Sequence, residues 1–439
     1  MFLFDFHWQI QNILNQFWHQ INFLLLILLV ILGYLSWKKP IYAAGLVIIL
    51  LPTYLFRSKI WFLPFTYLEL CIWTIFIITF TKSLLAKNYR LGAADYKLKW
   101  PILVILFAST ISVFISQNIS AAAGIWKAYF IEPIMFYLIL INVIKNSKDK
   151  KIILWSLGIS TLVISFLAIF QKFTGFAIAE PGWTGQTSRR VTSIFTSPNA
   201  VGLYLGPIII IYFGWIIQEI KNYKATILKL LIFIPAILAI IFTISQGTWL
   251  GLLAGILFFV FFLQPGNKKI GWNKKLIVFT FLLLLITSLI LPITREKIWP
   301  IITFQNHSGQ NRLTLWQMST DYLLSSPKNF ILGAGLTGFS VIQNQLREPL
   351  KMEPLLYPHN IFLNFWLEIG LLGLIGFIWL STKFFKHGFT GCKLTASRYK
   401  LIALGILSAM FCLLIHGLID VPYFKNDLAI LFWILIALI

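Results

Sequence analysis

Apolar residues in this chain come in continuous blocks, most of them about 17 to 25 residues long, the length at which a helix crosses ~30 Å of hydrocarbon. The blocks fall near 21–37, 41–56, 63–81, 100–116, 121–144, 152–171, 199–218, 228–245, 247–263, 276–293, 359–382, 400–420 and 427–439. Because they are unbroken rather than alternating apolar and polar, a transmembrane barrel is disfavoured. The pattern predicts an all-α, polytopic membrane protein of about 12–13 transmembrane helices, the range reflecting two short blocks at the start and one at the end. Residues 1–20 are rich in aromatics and amides, and no small-residue cleavage site follows, so no cleavable signal is expected. No segment of 20 to 50 residues repeats, and there is no pair of broken helices of the kind built into inverted-repeat transporters.

Two long polar stretches interrupt the blocks, 172–198 and 294–358. The second carries Pro300, Pro327, Pro349, Pro354 and Pro358, a helical pattern in "NRLTLWQMSTDYLLSS", and the glycines Gly333, Gly335 and Gly338. A segment of that length has its own structure or a function, and short helices on a membrane face are expected. The chain thus divides into N-terminal transmembrane helices (1–171), central helices with the first polar loop (172–293), the long loop (294–358) and C-terminal helices (359–439).

Charge supplies the orientation. The formal charge is +22 with only 11% charged residues, and 23 of the 36 lysines and arginines fall in alternate short loops, from Lys38 and Lys39 through to Lys400. The positive-inside rule makes those loops cytoplasmic and explains the charge without nucleic acid. Both long polar stretches are then expected outside. Cys71 and Cys412 lie in apolar blocks and Cys392 in a basic loop, giving neither a metal spacing nor a disulfide framework.

Ionisable residues inside spans are costly and therefore candidates: Glu69, Lys127, Glu132, Glu368 and Asp420. Lys127, after Trp126, reads either as a snorkelling lysine or as a partner for Glu132. Arg189 and Arg190, ahead of the seventh block, suit headgroup anchoring or a bidentate clamp on phosphate oxygens. Arg312 opens an apolar helix face in the long loop, as a solvated end or a ligand clamp. His359, followed by Asn360, starts the eleventh block, where an imidazole serves as a polar cap or as a general base. His7, His19, His307, His387 and His416 are scattered, and Glu296, Asp321, Glu348 and Glu353 form no close pair, so no metal site is indicated.

Five blocks resemble the O-antigen ligase and polymerase superfamily of integral-membrane glycosyltransferases: "RVTSIFTSPNAVGLYL" (190–205), "TISQGTWLGLLAG" (243–255), "NRLTLW…SPKNFILGAGLTGF" (311–339), "PHNIFLNFWLEIGLLGLIGF" (358–377) and "HGLIDVPYF" (416–424). The resemblance implies a GT-C-like fold in a bacterial inner membrane. It also implies transfer of a glycan from a polyprenyl-diphosphate carrier to an acceptor hydroxyl, on a glycolipid or glycan, at the extracytoplasmic face without metal, nucleotide or other cofactor. By the same resemblance Arg190 and Arg312 hold the diphosphate and His359 activates the acceptor; Arg189, Lys127, Glu132, Asn360, Glu368 and Asp420 are candidate supports from their own positions, Arg189 and Lys127 as stand-ins for a family arginine. Where the family commonly has an arginine, this chain has Gln246. A repeat-unit polymerase and a flippase-like carrier stay open as alternatives to a ligase, as does a structural membrane component with a degenerate site.

Overall fold

The computed structural model describes residues 18–60, 63–85, 96–178, 180–186, 189–263, 303, 305–350, 355–394 and 400–439. The expected block at 276–293 lies outside the described residues. Among those described, seven helices are long and apolar enough to cross a membrane: Tyr67–Leu85, Leu98–Ile115, Ile119–Val143, Ser147–Thr174, Pro198–Glu219, Tyr223–Thr243 and Ile361–Gly391. Five shorter apolar helices accompany them. The protein is an all-α, multi-pass membrane protein, and its residues cluster into two compact units. The first comprises Met1–Tyr96, Ala128–Trp249 and Tyr423–Ile439, the second Lys97–Lys127 and Leu250–Pro422.

In the first unit, α1 (Trp18–Lys38) leads into α2 (Pro40–Ile49). The expected block at 41–56 is cut short. Helix α2 has 10 residues, about 15 Å of rise, and gives way to a 3-10 turn over Leu51–Leu55 where Pro52 disfavours α geometry at the residue before it. Strand β1 (Arg57–Ile60) then pairs antiparallel with β2 (Leu63–Thr66), Arg57 opposite Thr66 and Ile60 opposite Leu63. The block expected from residue 63 therefore begins as a strand, and α3 runs Tyr67–Leu85. A capping box starts it: Thr66 N donates to Glu69 Oε2 and Glu69 N to Thr66 Oγ1, both at 3.2 Å. Glu69, a candidate by virtue of its depth, is thereby occupied with a helix end.

Helix α4 (Tyr96–Ile115) belongs to the second unit apart from its first residue. Next come α5 (Ile119–Trp126), a π turn over Lys127–Ile131, and α6 (Glu132–Val143). Pro133 lacks the N–H that a regular turn needs there, and the π turn accommodates the loss. Helix α7 (Ser147–Thr174) is capped at its start by an Asn146/Asp149 box and ends on Gly175 in the left-handed region, φ +71°. Helices α8 (Pro198–Glu219) and α9 (Tyr223–Thr243) pack with α7. There Tyr212 Oη donates to Leu154 O at 2.9 Å and Ser160 Oγ lies 2.6 Å from Tyr204 Oη. The buried Lys229 is neutralised by Glu219, 2.8 Å away, and sits over the Trp215 ring. The chain then passes through α10 (Gln246–Phe262).

The long polar segment folds, as expected, into helices: α11 (His307–Leu324), α12 (Pro327–Leu332) and α13 (Gly338–Leu350). Helices α14 (Ile361–Leu394) and α15 (Lys400–His416) follow, and α16 (Asn426–Leu438) returns to the first unit. Leu315, Leu323, Phe339, Ile342 and Leu367 form one buried apolar cluster that seats α11 and α13 on α14.

The glycine cluster explains how those helices are anchored. Helix α14 breaks at Ile369 and Gly370, which frees main-chain groups, and the 333–339 loop takes them. Ala334 N donates to Leu367 O at 2.7 Å. Thr337 N and Phe339 N donate to the Glu368 carboxylate at 2.7 and 3.3 Å. Ser112 on α4 donates its hydroxyl to Glu368 O and accepts from Leu336 N. A Cβ on Gly333 would meet Leu367 O at 2.4 Å and one on Gly335 would meet Ser116 N at 2.8 Å, so backbone runs against backbone where no side chain fits. Glu368 is thus a buried clamp on the loop.

Candidate functional site

The second unit gathers its chemistry around one turn, 417–420, just past the end of α15. Each of its four residues is held by a different partner. Gly417 O accepts from Ile361 N at 2.7 Å; Leu418 O accepts from Asn360 Nδ2 at 3.1 Å; Ile419 O accepts from Arg312 Nε at 2.9 Å. His359 Nδ1 and Asp420 Oδ1 are 3.2 Å apart, with Val421 N donating to the same oxygen at 2.9 Å. Arg312, His359, Asn360 and Asp420, far apart along the chain, are thereby brought together.

Local structure accounts for each arm. Asn360 caps α14, its Oδ1 accepting from Phe362 N and Leu363 N at 3.0 Å, so a single side chain both starts the helix and grips the turn. His359 precedes the helix rather than opening it, in the left-handed region with φ +53°. Held there, its imidazole is 27% exposed, against 10% for the Asp420 side chain. Arg312 lies within α11, and its Nη1 also donates to Ser308 O at 3.3 Å. Nη2 has no partner among the described residues.

Electrostatics separate the roles. Burial pushes the Asp420 carboxyl up, but the charge and hydrogen bond of His359, the imidazole of His416 and the Val421 N–H outweigh it and hold the group well below the usual carboxylate range. The balance favours the carboxylate anion of Asp420. Burial lowers the Arg312 guanidinium from its ordinary value while Asp420 opposes the shift, and the group stays charged. The arrangement puts an imidazole with a fixed anion on one nitrogen beside a half-buried cation. Such a set can remove a proton and hold a negative leaving group.

In the first unit, the fully buried Gln171 pins the loop after Arg190: its Oε1 accepts from Thr192 N and Ser193 N at 3.0 and 2.6 Å, and its Nε2 donates to Ser193 O at 2.8 Å. Arg190 donates Nε to Thr243 O at 2.9 Å and stacks on Trp183; its terminal nitrogens have no partner among the described residues. Burial lowers its guanidinium from the ordinary value. Arg189 is occupied otherwise, with Nε on Thr184 O and Nη1 on Lys172 O at 3.1 and 2.9 Å. Glu132, buried, accepts from Trp73 Nε1 at 3.0 Å. Lys127 is half-buried at the head of the π turn, in the second unit.

Gln171 and the 417–420 turn had no signal in residue chemistry alone; the "HGLID" block carried the turn, without its partners. Fold and site define a multi-pass membrane protein with a histidine–aspartate pair and an adjacent arginine. Residues 230–378 match the family model described as O-antigen ligase, so the resemblance is borne out over that stretch, which holds three of the five motif blocks, 243–255, 311–339 and 358–377. The match takes in Gln246, Arg312, His359 and Glu368. A Haemophilus influenzae protein without a functional name is 24% identical over 317 residues, 67% of this chain and 73% of that one. Proteins named "putative polysaccharide ligase" from Rickettsia typhi and Rickettsia conorii are each 32% identical, over 139 and 111 residues. These cover 29% and 23% of this chain and 32% and 26% of theirs, so the chain spans about a third or less of those relatives.

Proposed function

We propose that this protein is a glycan ligase of the bacterial inner membrane. It moves a glycan from a polyprenyl-diphosphate carrier to an acceptor hydroxyl at the extracytoplasmic face, and the chemistry is inverting and independent of metal. The observation that carries the reading is the His359–Asp420 pair on the turn that also anchors Arg312. With Nδ1 directed at Asp420, His359 presents Nε2 to the acceptor. That nitrogen takes the hydroxyl proton as the oxygen attacks the anomeric carbon, and Asp420 stabilises the imidazolium. The bond from the anomeric carbon to the diphosphate oxygen breaks in line with the attack, which inverts the centre, and the leaving diphosphate keeps the electron pair. Nη2 of Arg312, without a partner among the described residues, faces that charge, and Arg190 carries over as a phosphate ligand by resemblance.

The names of the Rickettsia relatives favour a ligase over a polymerase. The test is transfer from a polyprenyl-diphosphate glycan to lipid and glycan acceptors by purified protein in detergent, with EDTA present. A single addition that survives EDTA and is lost in His359→Ala, by a factor of about 10²–10⁴ for removal of a general base, is the expected result. A product ladder would reassign the protein to polymerisation, and wild-type turnover by His359→Ala would remove the mechanism.

A further inference from the structure

We propose that α12 and the glycine loop after it form a re-entrant element, seated not on the membrane face but about one helical turn beneath it, with Phe330 and Ile331 against lipid hydrocarbon. The depth follows from α4 and α14, which run antiparallel in the second unit. Ser112 of α4 donates to Glu368 O of α14, and nearer the start of α4 a Cβ on Gly376 would lie 2.9 Å from Ile105 Cγ1. Helix α4 has no length to spare. Its apolar run, Leu98–Ile115, has 18 residues, about 27 Å of rise against ~30 Å of hydrocarbon, so its last turns lie inside the bilayer. Leu103, Phe107 and Phe114 are exposed along one side of it, the side that meets lipid.

Helix α12 ends at that depth. A Cβ on Gly370 of α14 would meet Ile331 O at 2.6 Å and Leu332 O at 3.0 Å, and Phe330 O accepts from Trp366 Nε1 at 2.7 Å. Trp366 and Gly370 stand on either side of Glu368, and Glu368 is level with Ser112. The end of α12 is therefore level with the turns of α4 that hold Ser112 and Phe114. There Ile331 is 56% exposed and Phe330 37%, and a large apolar side chain that faces outward at hydrocarbon depth meets acyl chains rather than water. Lys328, exposed and three residues before Ile331, lies on the same side of α12, where a lysine beneath the headgroups extends its ammonium up to their phosphates.

The backbone of the loop is built for the same depth. Hydrocarbon offers no partner to a main-chain N–H, so irregular chain is tolerated there only where protein satisfies it. Gly333 N donates to Asn329 O, Ala334 N to Leu367 O and Gly338 N to Gly335 O, at 2.9, 2.7 and 2.8 Å. Leu336 N donates to Ser112 Oγ at 2.8 Å, and Thr337 N and Phe339 N donate to the Glu368 carboxylate. On an aqueous face water would serve these groups. A buried glutamate inside an apolar helix is costly, and the need it answers is that of a loop that water does not reach.

The experiment is spin labelling of the full chain in vesicles of phosphatidylethanolamine and phosphatidylglycerol, with Cys71, Cys392 and Cys412 changed to alanine. Accessibility of each label to oxygen, which concentrates in hydrocarbon, is compared with accessibility to a water-soluble nickel chelate. Labels placed by Phe114→Cys and Gln117→Cys calibrate the scale, the first inside the bilayer and the second just past the end of α4. The label at Ile331→Cys should favour oxygen and match the depth of Phe114 to within one helical turn, ~5 Å. A label that favours nickel, at the level of Gln117 or above, would lift α12 onto the membrane face and overturn the proposal. One closed to both reagents would mean that protein covers Ile331, and would overturn it as well. Should the Ile331 variant fail to insert, Phe330→Cys is read on the same scale with the same outcomes. Glycan transfer enters none of these readings, so loss of the proposed activity would leave the measured depth unchanged.

Discussion

Arg190 and Arg312 are held by the same device in different units. Each donates Nε at 2.9 Å to a carbonyl where an apolar helix ends, Arg190 to Thr243 O at the close of α9 and Arg312 to Ile419 O beyond α15. Helix C-termini leave carbonyls unpaired and carry the negative end of the dipole, so a guanidinium is well placed there. The chain after each carbonyl differs. Thr243 is followed by Ile244, a β-branched residue at φ +53°, and then by Ser245 and Gln246, with no ionisable group. Ile419 is followed by Asp420, which meets His359. The first anchor can bind negative charge; the second can bind charge and also direct a proton.

The comparison can be broken by removing each arginine. Arg312→Ala is expected to lower kcat/KM by about 10²–10³-fold, the range for losing one oriented donor to a developing anion, and Arg190→Ala by about tenfold less, since no proton-handling group depends on it. Equal losses would mean that the turn adds nothing to the arginine. Asp420→Asn keeps the shape of the turn and removes its charge, and a loss of about 10²-fold in kcat is expected with KM little changed.

The same residue gives the comparison a pH signature. Asp420 titrates lower folded than the ~3.9 of an unfolded aspartate, so its contribution to stability is complete above that value and is lost as pH falls below it toward the folded pKa. Thermal unfolding of wild type against Asp420→Asn should differ at about pH 5 and converge as pH falls further; a difference that grows with falling pH would contradict the assignment. Gly335→Ala, which puts a Cβ 2.8 Å from Ser116 N at φ +82°, should destabilise the second unit by about 2–3 kcal/mol. The smallest effect belongs to Arg189→Lys. With Nε and Nη1 of Arg189 both on loop carbonyls, the variant should lose about 1 kcal/mol of stability and keep transfer within twofold, whereas a tenfold drop would make Arg189 a second phosphate ligand.

Much of the architecture was legible along the chain. Continuous apolar blocks predict membrane helices because hydrocarbon leaves a backbone no other partner than itself, and the long polar segment reads as helical from its 3.6-residue pattern. The block at 41–56 misled because hydropathy does not register Pro52 or the hairpin that follows. Glu69 and Glu368 show what an acid in an apolar block can be needed for: in both cases part of that need is a main-chain N–H waiting for an acceptor.

The class of fold and the motifs are thus legible in the sequence, as are Arg312, His359, Asn360 and Asp420 as residues whose chemistry fits the proposed reaction. Helix packing decides that these four converge on the carbonyls and carboxylate of one turn, and that Arg189 is engaged in holding a loop while the terminal nitrogens of Arg190 have no partner among the described residues. The reason is physical. Periodicity and composition report how a segment partitions between water and lipid, a property of neighbours in the chain. A hydrogen bond at 3.2 Å between residues 61 positions apart depends on how helices pack, and no local pattern records it.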